Sequence, residues 1–144
     1  KCKAVLTLPE LYHPVFAVII KFKKRYPSQN IEIDIPEELV LIPMDAILIE
    51  QVIINIIKNS AESIDETGDI MIRTSASPLM LEIGDNGKGL SKEVETKLFT
   101  PYFSTKPNGQ GIGLIFIREV LMKHGCTFSL RTYPDDITRF RICF

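Results

Sequence analysis

The chain has 144 residues, 45% hydrophobic and 24% charged, which fits one globular domain with room for a real core. Lys and Arg number 17 against 18 acids, a formal net charge of -1, so no global field draws the chain to nucleic acid or an anionic membrane; any polyanion it binds must be held locally. Cys2, Cys126 and Cys143 are scattered and odd in number, with no CxxC pair, which argues against a disulfide framework or zinc knuckle and suits a reducing cytoplasm. The most apolar stretches, Val15–Ile20 and Val52–Ile57, fall far short of the ~20 residues that span a bilayer, and nothing resembles a signal peptide. A start at Lys1 without methionine suggests a piece of a longer protein, in which a membrane segment has room upstream.

In chain order, Lys3–Leu8 alternates as a short strand closed by Pro9. Glu10–Lys24 reads as an amphipathic helix: Leu11, Val15, Val18, Ile19 and Phe22 recur near helical spacing, and Lys21, Lys23, Lys24 and Arg25 crowd the end where the helix dipole favours cations. His13 lies early in that run without a neighbouring acid or base, so it is read as structural rather than as a phosphoacceptor. Ile31, Ile33 and Ile35 alternate with Glu32 and Asp34, the period of a half-buried strand, and Pro36 stops it. Val40–Ile42 forms a brief strand before Pro43, and Asp45 is placed to N-cap the next helix.

That helix, Asp45–Ile64, is the element around which the rest is read. Gln51, Asn55, Asn59 and Glu62 follow one another at helical spacing and share one face. Ile47, Leu48, Val52, Ile53, Ile54, Ile56, Ile57 and Ile64 take up most of the remaining circumference. The helix is therefore expected to be largely buried, with something polar against its amide stripe. After a turn at Thr67-Gly68-Asp69, Ile70–Thr74 and Leu79–Ile83 alternate as two antiparallel strands joined at Ser77-Pro78. The second runs into Gly84-Asp85-Asn86-Gly87-Lys88-Gly89, and a short helix follows over Ser91–Leu98. Phe99–Asn108, aromatic and broken by prolines, fits neither period and is expected to be a mobile loop. Gly109-Gln110-Gly111-Ile112-Gly113-Leu114 opens a helix reaching about Lys123, which His124-Gly125 ends, and Thr127–Thr132 and Thr138–Phe144 are the last strands.

The chemistry gathers at the strand and helix ends. Asp85 puts a carboxylate where Gly87 and Gly89 let a flat ligand approach the backbone. Ionised and buried, it offers only acceptors and selects a donor such as the exocyclic amine of adenine; guanine presents an oxygen there. The GQGIG run at a helix mouth exposes N–H groups and the positive end of a dipole, both suited to phosphate. A Rossmann turn would need a preceding strand and wider glycine spacing. An amide oxygen such as that of Asn59 suits magnesium, which fills its shell mostly with phosphate and water. Lys106 supplies a cation beside the phosphate loop.

These residues resemble the catalytic and ATP-binding domain of bacterial sensor histidine kinases, within the GHKL superfamily of gyrase, mismatch-repair and chaperone ATPases. Asn55–Ser60 resembles the N box, Asp85–Leu90 the first glycine box, Phe99–Lys106 the F box and Gly109–Leu114 the second glycine box. The resemblance implies a Bergerat fold, a two-layer α/β sandwich with a mixed, mostly antiparallel sheet of about five strands and helices on one face. It implies ATP and Mg2+ as ligands, with Asn59 on the metal, Asp85 and Thr138 on adenine, and Gly87, Gly89, Gly109, Gly111, Gly113 and Leu114 lining the nucleotide. Lys106 falls to the lid. Asn55 stands where the hydrolysing relatives carry a glutamate base; an amide cannot serve as one, which favours phosphotransfer over hydrolysis. Asn55 would then help orient the incoming imidazole.

The phosphoacceptor would be a histidine on a dimerisation hairpin of the same, homodimeric protein, which this chain lacks, and the phosphate would pass to a response regulator. The expected setting is cytoplasmic. Two other classes stand beside this one: a GHKL ATPase or anti-sigma-type serine kinase, and a nucleotide-binding scaffold without catalysis. Ser60 and Ser63 replace common alanines, Tyr102 a phenylalanine, and no glycine precedes Thr138 in Asp135-Asp136-Ile137.

Overall fold

The computed structural model describes residues 4–7, 20–21, 24, 28–34, 41–64, 67–100 and 113–144. The apolar stretch after Asp45 forms helix α1, Ala46–Ser63. Asp45 starts it as expected: its backbone is extended and its Oδ1 accepts the Leu48 N–H at 3.1 Å, satisfying a donor with no intrahelical partner. β-Branched isoleucines add little helix propensity, so tertiary burial must hold this helix. Ile49, Val52, Ile53, Ile56, Ile57 and Ala61 are all buried, each large one contributing about 1.5–3 kcal/mol of transfer free energy.

The burial is one-sided, which corrects the expectation of a largely buried helix. Ile47 is 73% exposed at the first turn. Gln51 and Glu62 are exposed, while Asn55 and Asn59 are half-buried. The polar stripe therefore runs along the less buried side of α1, because an amphipathic helix needs only one apolar face to dock.

Five strands make the main sheet, in the order β2-β4-β5-β7-β6: β2 Asn30–Asp34, β4 Asp69–Ala76, β5 Leu79–Asp85, β6 Thr127–Thr132 and β7 Thr138–Cys143. β2 and β4 are parallel, with α1 in the chain between them; β4–β5 and β6–β7 are antiparallel hairpins with short connections, and β5 and β7 pair antiparallel across the helices and β6 that separate them in sequence. The mixed, mostly antiparallel sheet is the expected one. β1, Ala4–Thr7, and β3, Leu41–Met44, pair separately, and Pro43 lies inside β3 opposite Val5 instead of ending it. A proline is tolerated there because a two-stranded ladder leaves one side of each strand unpaired. The expected helix Glu10–Lys24 and His13 lie largely outside the described residues; Ile20, Lys21 and Lys24 are helical and exposed.

Alternate residues of the sheet, Ile70, Ile72, Leu81, Ile83, Phe140 and Ile142, face the helices. They form one buried cluster with α1 and with Ile117, Val120 and Leu121 of the helix Gly113–Lys123, which is α3 here. The short helix α2, Lys92–Lys97, is capped by the Ser91 hydroxyl, which accepts the Val94 N–H at 3.2 Å. α3 ends as its sequence announces, with Gly125 in the left-handed region at φ 71° and the Cys126 N–H on the Leu121 carbonyl at 3.0 Å. His124 does more than mark that end. Its Nδ1 lies 2.7 Å from the Val120 carbonyl and its Nε2 accepts the Asp45 N–H at 3.0 Å, tying the close of α3 to the start of α1.

Candidate nucleotide site

β5 delivers Asp85 to one end of the sheet, with Ile70 paired on one side and Thr138 on the other. The carboxylate is only 4% exposed. Its Oδ1 accepts the Gly87 N–H at 3.0 Å and the Ser63 hydroxyl at 3.3 Å. Burial pushes the Asp85 carboxyl above the usual carboxylate range, opposed by the Gly87 N–H and the Ser60 and Ser63 hydroxyls. An enclosed carboxylate held by hydrogen bonds, with no counter-cation among these causes, can recognise a neutral donor, and the amine of adenine fits that demand.

The turn after β5 depends on missing side chains. A Cβ on Gly87 would fall on the backbone carbonyl of Ser63, whose oxygen accepts the Lys88 N–H at 3.2 Å, so the turn lies directly on the end of α1. Gly89 has φ 75°, left-handed backbone that favours glycine. Between them Asn86 is clasped to Asp69: its Oδ1 accepts the Asp69 N–H at 2.8 Å and its Nδ2 donates to Asp69 Oδ2 at 3.1 Å.

Thr138 is buried beside Asp85, and its hydroxyl lies 2.8 Å from that of Thr132. Thr132 Oγ1 also accepts the Leu90 N–H at 2.7 Å, while its own N–H donates to Glu95 Oε1 at 2.9 Å. One threonine thus links the glycine turn, α2 and Thr138 beside Asp85. The missing glycine before Thr138 proves unnecessary. Asp136 itself takes the left-handed backbone, φ 63°, and donates its N–H to the Tyr133 carbonyl at 2.9 Å, closing the turn that sets Thr138 in register.

Asn55 and Asn59 stand one turn apart on α1, half-buried, and Asn59 immediately precedes Ser60. Gly113 and Leu114 begin α3; a Cβ on Gly113 would meet nothing within 4 Å among the described residues, unlike one on Gly87. Lys106, Gly109 and Gly111 lie outside the described residues, as does most of the expected loop Phe99–Asn108. Phe99 itself is packed, its ring 5.2 Å from Phe128 and 6.3 Å from Phe140, both edge-on. Among the described residues no group of three or more His, Cys, Asp or Glu side chains gathers to hold a metal ion. A magnesium ion at Asn59 would draw its other ligands from phosphate and water, as that ion commonly does.

Four contributors were not legible as such: Ser60, Ser63, Thr132 and Asn86. For the serines a signal existed, since their spacing puts two hydroxyls on one side of an apolar helix, next to the asparagine already singled out. Thr132 and Asn86 carried no local signal, because their partners come from other elements: Leu90, Glu95 and Thr138 for the one, Asp69 for the other.

A carboxylate buried at a strand end, a turn that leaves no room for a Cβ at Gly87 against a helix terminus, and half-buried amides along that helix make a candidate nucleotide site on an α/β sandwich. The histidine kinase-, DNA gyrase B- and HSP90-like ATPase family matches residues 44–144, and the chain belongs to that family. It is similar to the C4-dicarboxylate transport sensor protein DctB of Rhizobium meliloti (strain 1021), 33% identical over 112 residues that make up 75% of this chain and 18% of DctB. It is likewise similar to sporulation kinase B of Bacillus subtilis (strain 168), 33% identical over 134 residues, 90% of this chain and 31% of that kinase. The chain thus spans less than a third of either relative. Among solved structures, the nucleotide-free catalytic domain of histidine kinase ThkA shares the fold with a TM-score of 0.84 at 22% identity, covering 96% of this chain and 94% of that one. The mycobacterial sensor histidine kinase MprB gives 0.82 at 19% identity, covering 97% and 95%.

Proposed function

We propose that this chain is the Mg-ATP-binding catalytic domain of a two-component sensor histidine kinase. The observation that carries the reading is Asp85: an enclosed carboxylate, opposite Thr138 and beside a turn that admits no side chain at Gly87. Relatives named as sensor proteins and kinases support it. Asp85 accepts the amine of adenine, Thr138 lines the same side, and Gly87 and Gly89 let the base lie against the backbone. Asn59 holds magnesium, which when bound neutralises charge on the terminal phosphates. Gly113 and Leu114 at the mouth of α3, with Lys106, Gly109 and Gly111 before it, receive the phosphates.

The imidazole of a histidine on a separate dimerisation hairpin attacks the γ-phosphorus in line; a nitrogen–phosphorus bond forms as the bond to the ADP oxygen breaks. Asn55 orients that ring. Its amide has no basicity with which to activate water, so transfer to the hairpin is favoured over hydrolysis. The full-length protein acts as a homodimer in the cytoplasm, where ATP is, and passes the phosphate to an aspartate of a response regulator. Among the described residues no helix is long and apolar enough to cross a membrane.

The test is incubation of the chain with ATP labelled at the γ-phosphate and a histidine-bearing dimerisation hairpin of a related kinase, followed by acid and base treatment of the product. Acid-labile, base-stable label on the hairpin is the expected result. Sustained release of inorganic phosphate with none on histidine would place the chain with the hydrolysing relatives instead.

A further inference from the structure

The last turn of α1 carries Ser60 and Ser63 on neighbouring positions of one face. The Ser63 hydroxyl is turned onto Asp85, 3.3 Å from Oδ1, and the Gly87 N–H reaches the same oxygen at 3.0 Å. Both bonds fall on one carboxylate oxygen, which has two lone pairs to offer. The hydroxyl is also confined, because the Gly87 backbone lies so close that a Cβ there would strike Ser63 Oγ. A hydroxyl can donate or accept, but facing an ionised carboxylate it can only donate.

We propose that Ser63 is a positioning residue for purine discrimination: its O–H, with the Gly87 N–H, fills Oδ1 of Asp85 and turns Oδ2 to the base as an acceptor, so that the site takes the amine of adenine and refuses the carbonyl of guanine. The inference rests on Asp85 as the adenine reader. The physical need for such help lies in the burial that favours the neutral acid. A protonated Asp85 would carry a donor, the wrong sign for an amine and the right one for guanine O6. Ser60, buried on the same face, acts in the same direction. The charged side chains on the surrounding elements are Glu50, Lys58 and Glu62 on α1, Asp69 and Arg73 on β4, Glu82 on β5, Lys88 after it, and Arg139 and Arg141 on β7; what shifts Asp85 is its burial, opposed by the Gly87 N–H and the two serine hydroxyls.

The test is titration of the chain and of Ser63→Ala, Ser60→Ala/Ser63→Ala and Asp85→Ala with ATP and with GTP, from roughly pH 5 to 8. Alanine suits the helix, and thermal melts check that each variant is folded. Ser63→Ala is expected to bind ATP within about threefold of wild type at the alkaline end and roughly tenfold more weakly at the acid end, with a preference over GTP reduced by roughly tenfold there. The double variant moves the acid limb further. If Asp85→Ala abolishes ATP binding but Ser63→Ala keeps the wild-type pH profile and ATP-to-GTP ratio, the inference is wrong while the adenine reading stands. If Asp85→Ala binds ATP as wild type does, the adenine reading itself fails and this inference goes with it.

Discussion

Replacing Gly87 with alanine tests how closely the turn after β5 is built onto α1. The φ of Gly87 is not in the left-handed region, unlike those of Gly89 and Gly125, so the cost is contact rather than backbone strain. The new methyl would fall on the hydroxyl and backbone carbonyl of Ser63, and backbone on both sides leaves it no rotamer escape. Overpacking of this kind typically costs about 1–3 kcal/mol. Relief requires the turn to lift, which stretches the Gly87 N–H bond to Asp85 at 3.0 Å and the Lys88 N–H bond to Ser63 at 3.2 Å. Losing these adds about 0.5–1.5 kcal/mol for the neutral pair and up to about 3 kcal/mol for the charged one. A total of roughly 2–7 kcal/mol corresponds to a fall in Tm of roughly 5–25 °C for a chain of this size. Thermal denaturation followed by circular dichroism reads that shift, and an ATP titration below the melting range should show the affinity falling with it. Gly113→Ala serves as the contrast, since a Cβ there meets nothing within 4 Å and its Tm should hold or rise slightly. A Gly87→Ala protein melting within about 2 °C of wild type, with unchanged ATP affinity, would refute the close approach.

Other expectations follow from the same geometry. Asp85→Asn should lose ATP affinity yet stabilise the nucleotide-free chain at neutral pH. The folded carboxyl holds its proton above the unfolded value of 3.8, so its contribution to stability falls as pH rises through the window between the two values; an asparagine escapes that loss. Melting curves of both proteins should therefore diverge with rising pH, and an asparagine variant less stable than wild type throughout would contradict the burial argument. His124→Ala removes the acceptor of the Asp45 N–H and the bond to the Val120 carbonyl, and should cost about 1–2 kcal/mol, visible as a lower urea midpoint at an unchanged slope. Asn59→Ala should leave metal-free ATP binding intact while weakening the magnesium-dependent gain by at least roughly tenfold, since loss even of outer-shell partners of metal sites costs that much. An unaltered magnesium response would remove Asn59 from the metal.

What the sequence determined by itself is what lies within single elements. The spacing of isoleucines along α1, the alternation in β4, β5 and β7, and the caps Asp45 and Gly125 all follow from periodicity and local backbone chemistry. Asp85 with Gly87 and Gly89 was legible for the same reason, because a carboxylate followed by glycines at a strand end is a local pattern. Tertiary structure alone decided which of these patterns meet. The Ser63 bond to Asp85 joins residues 22 apart, the His124 bond to Asp45 residues 79 apart, and no period relates such positions. Docking of the apolar face of α1 decided how deeply its amide stripe is covered, leaving Gln51 and Glu62 exposed and Asn55 and Asn59 half-buried. Asp136 takes left-handed backbone, where glycine is the usual occupant, because the pairing of β6 with β7 fixes both ends of their turn and the connection must close whatever residue it holds. Chemistry by residue type was written in the chain; the distances that turn it into a site were set when helix and sheet packed.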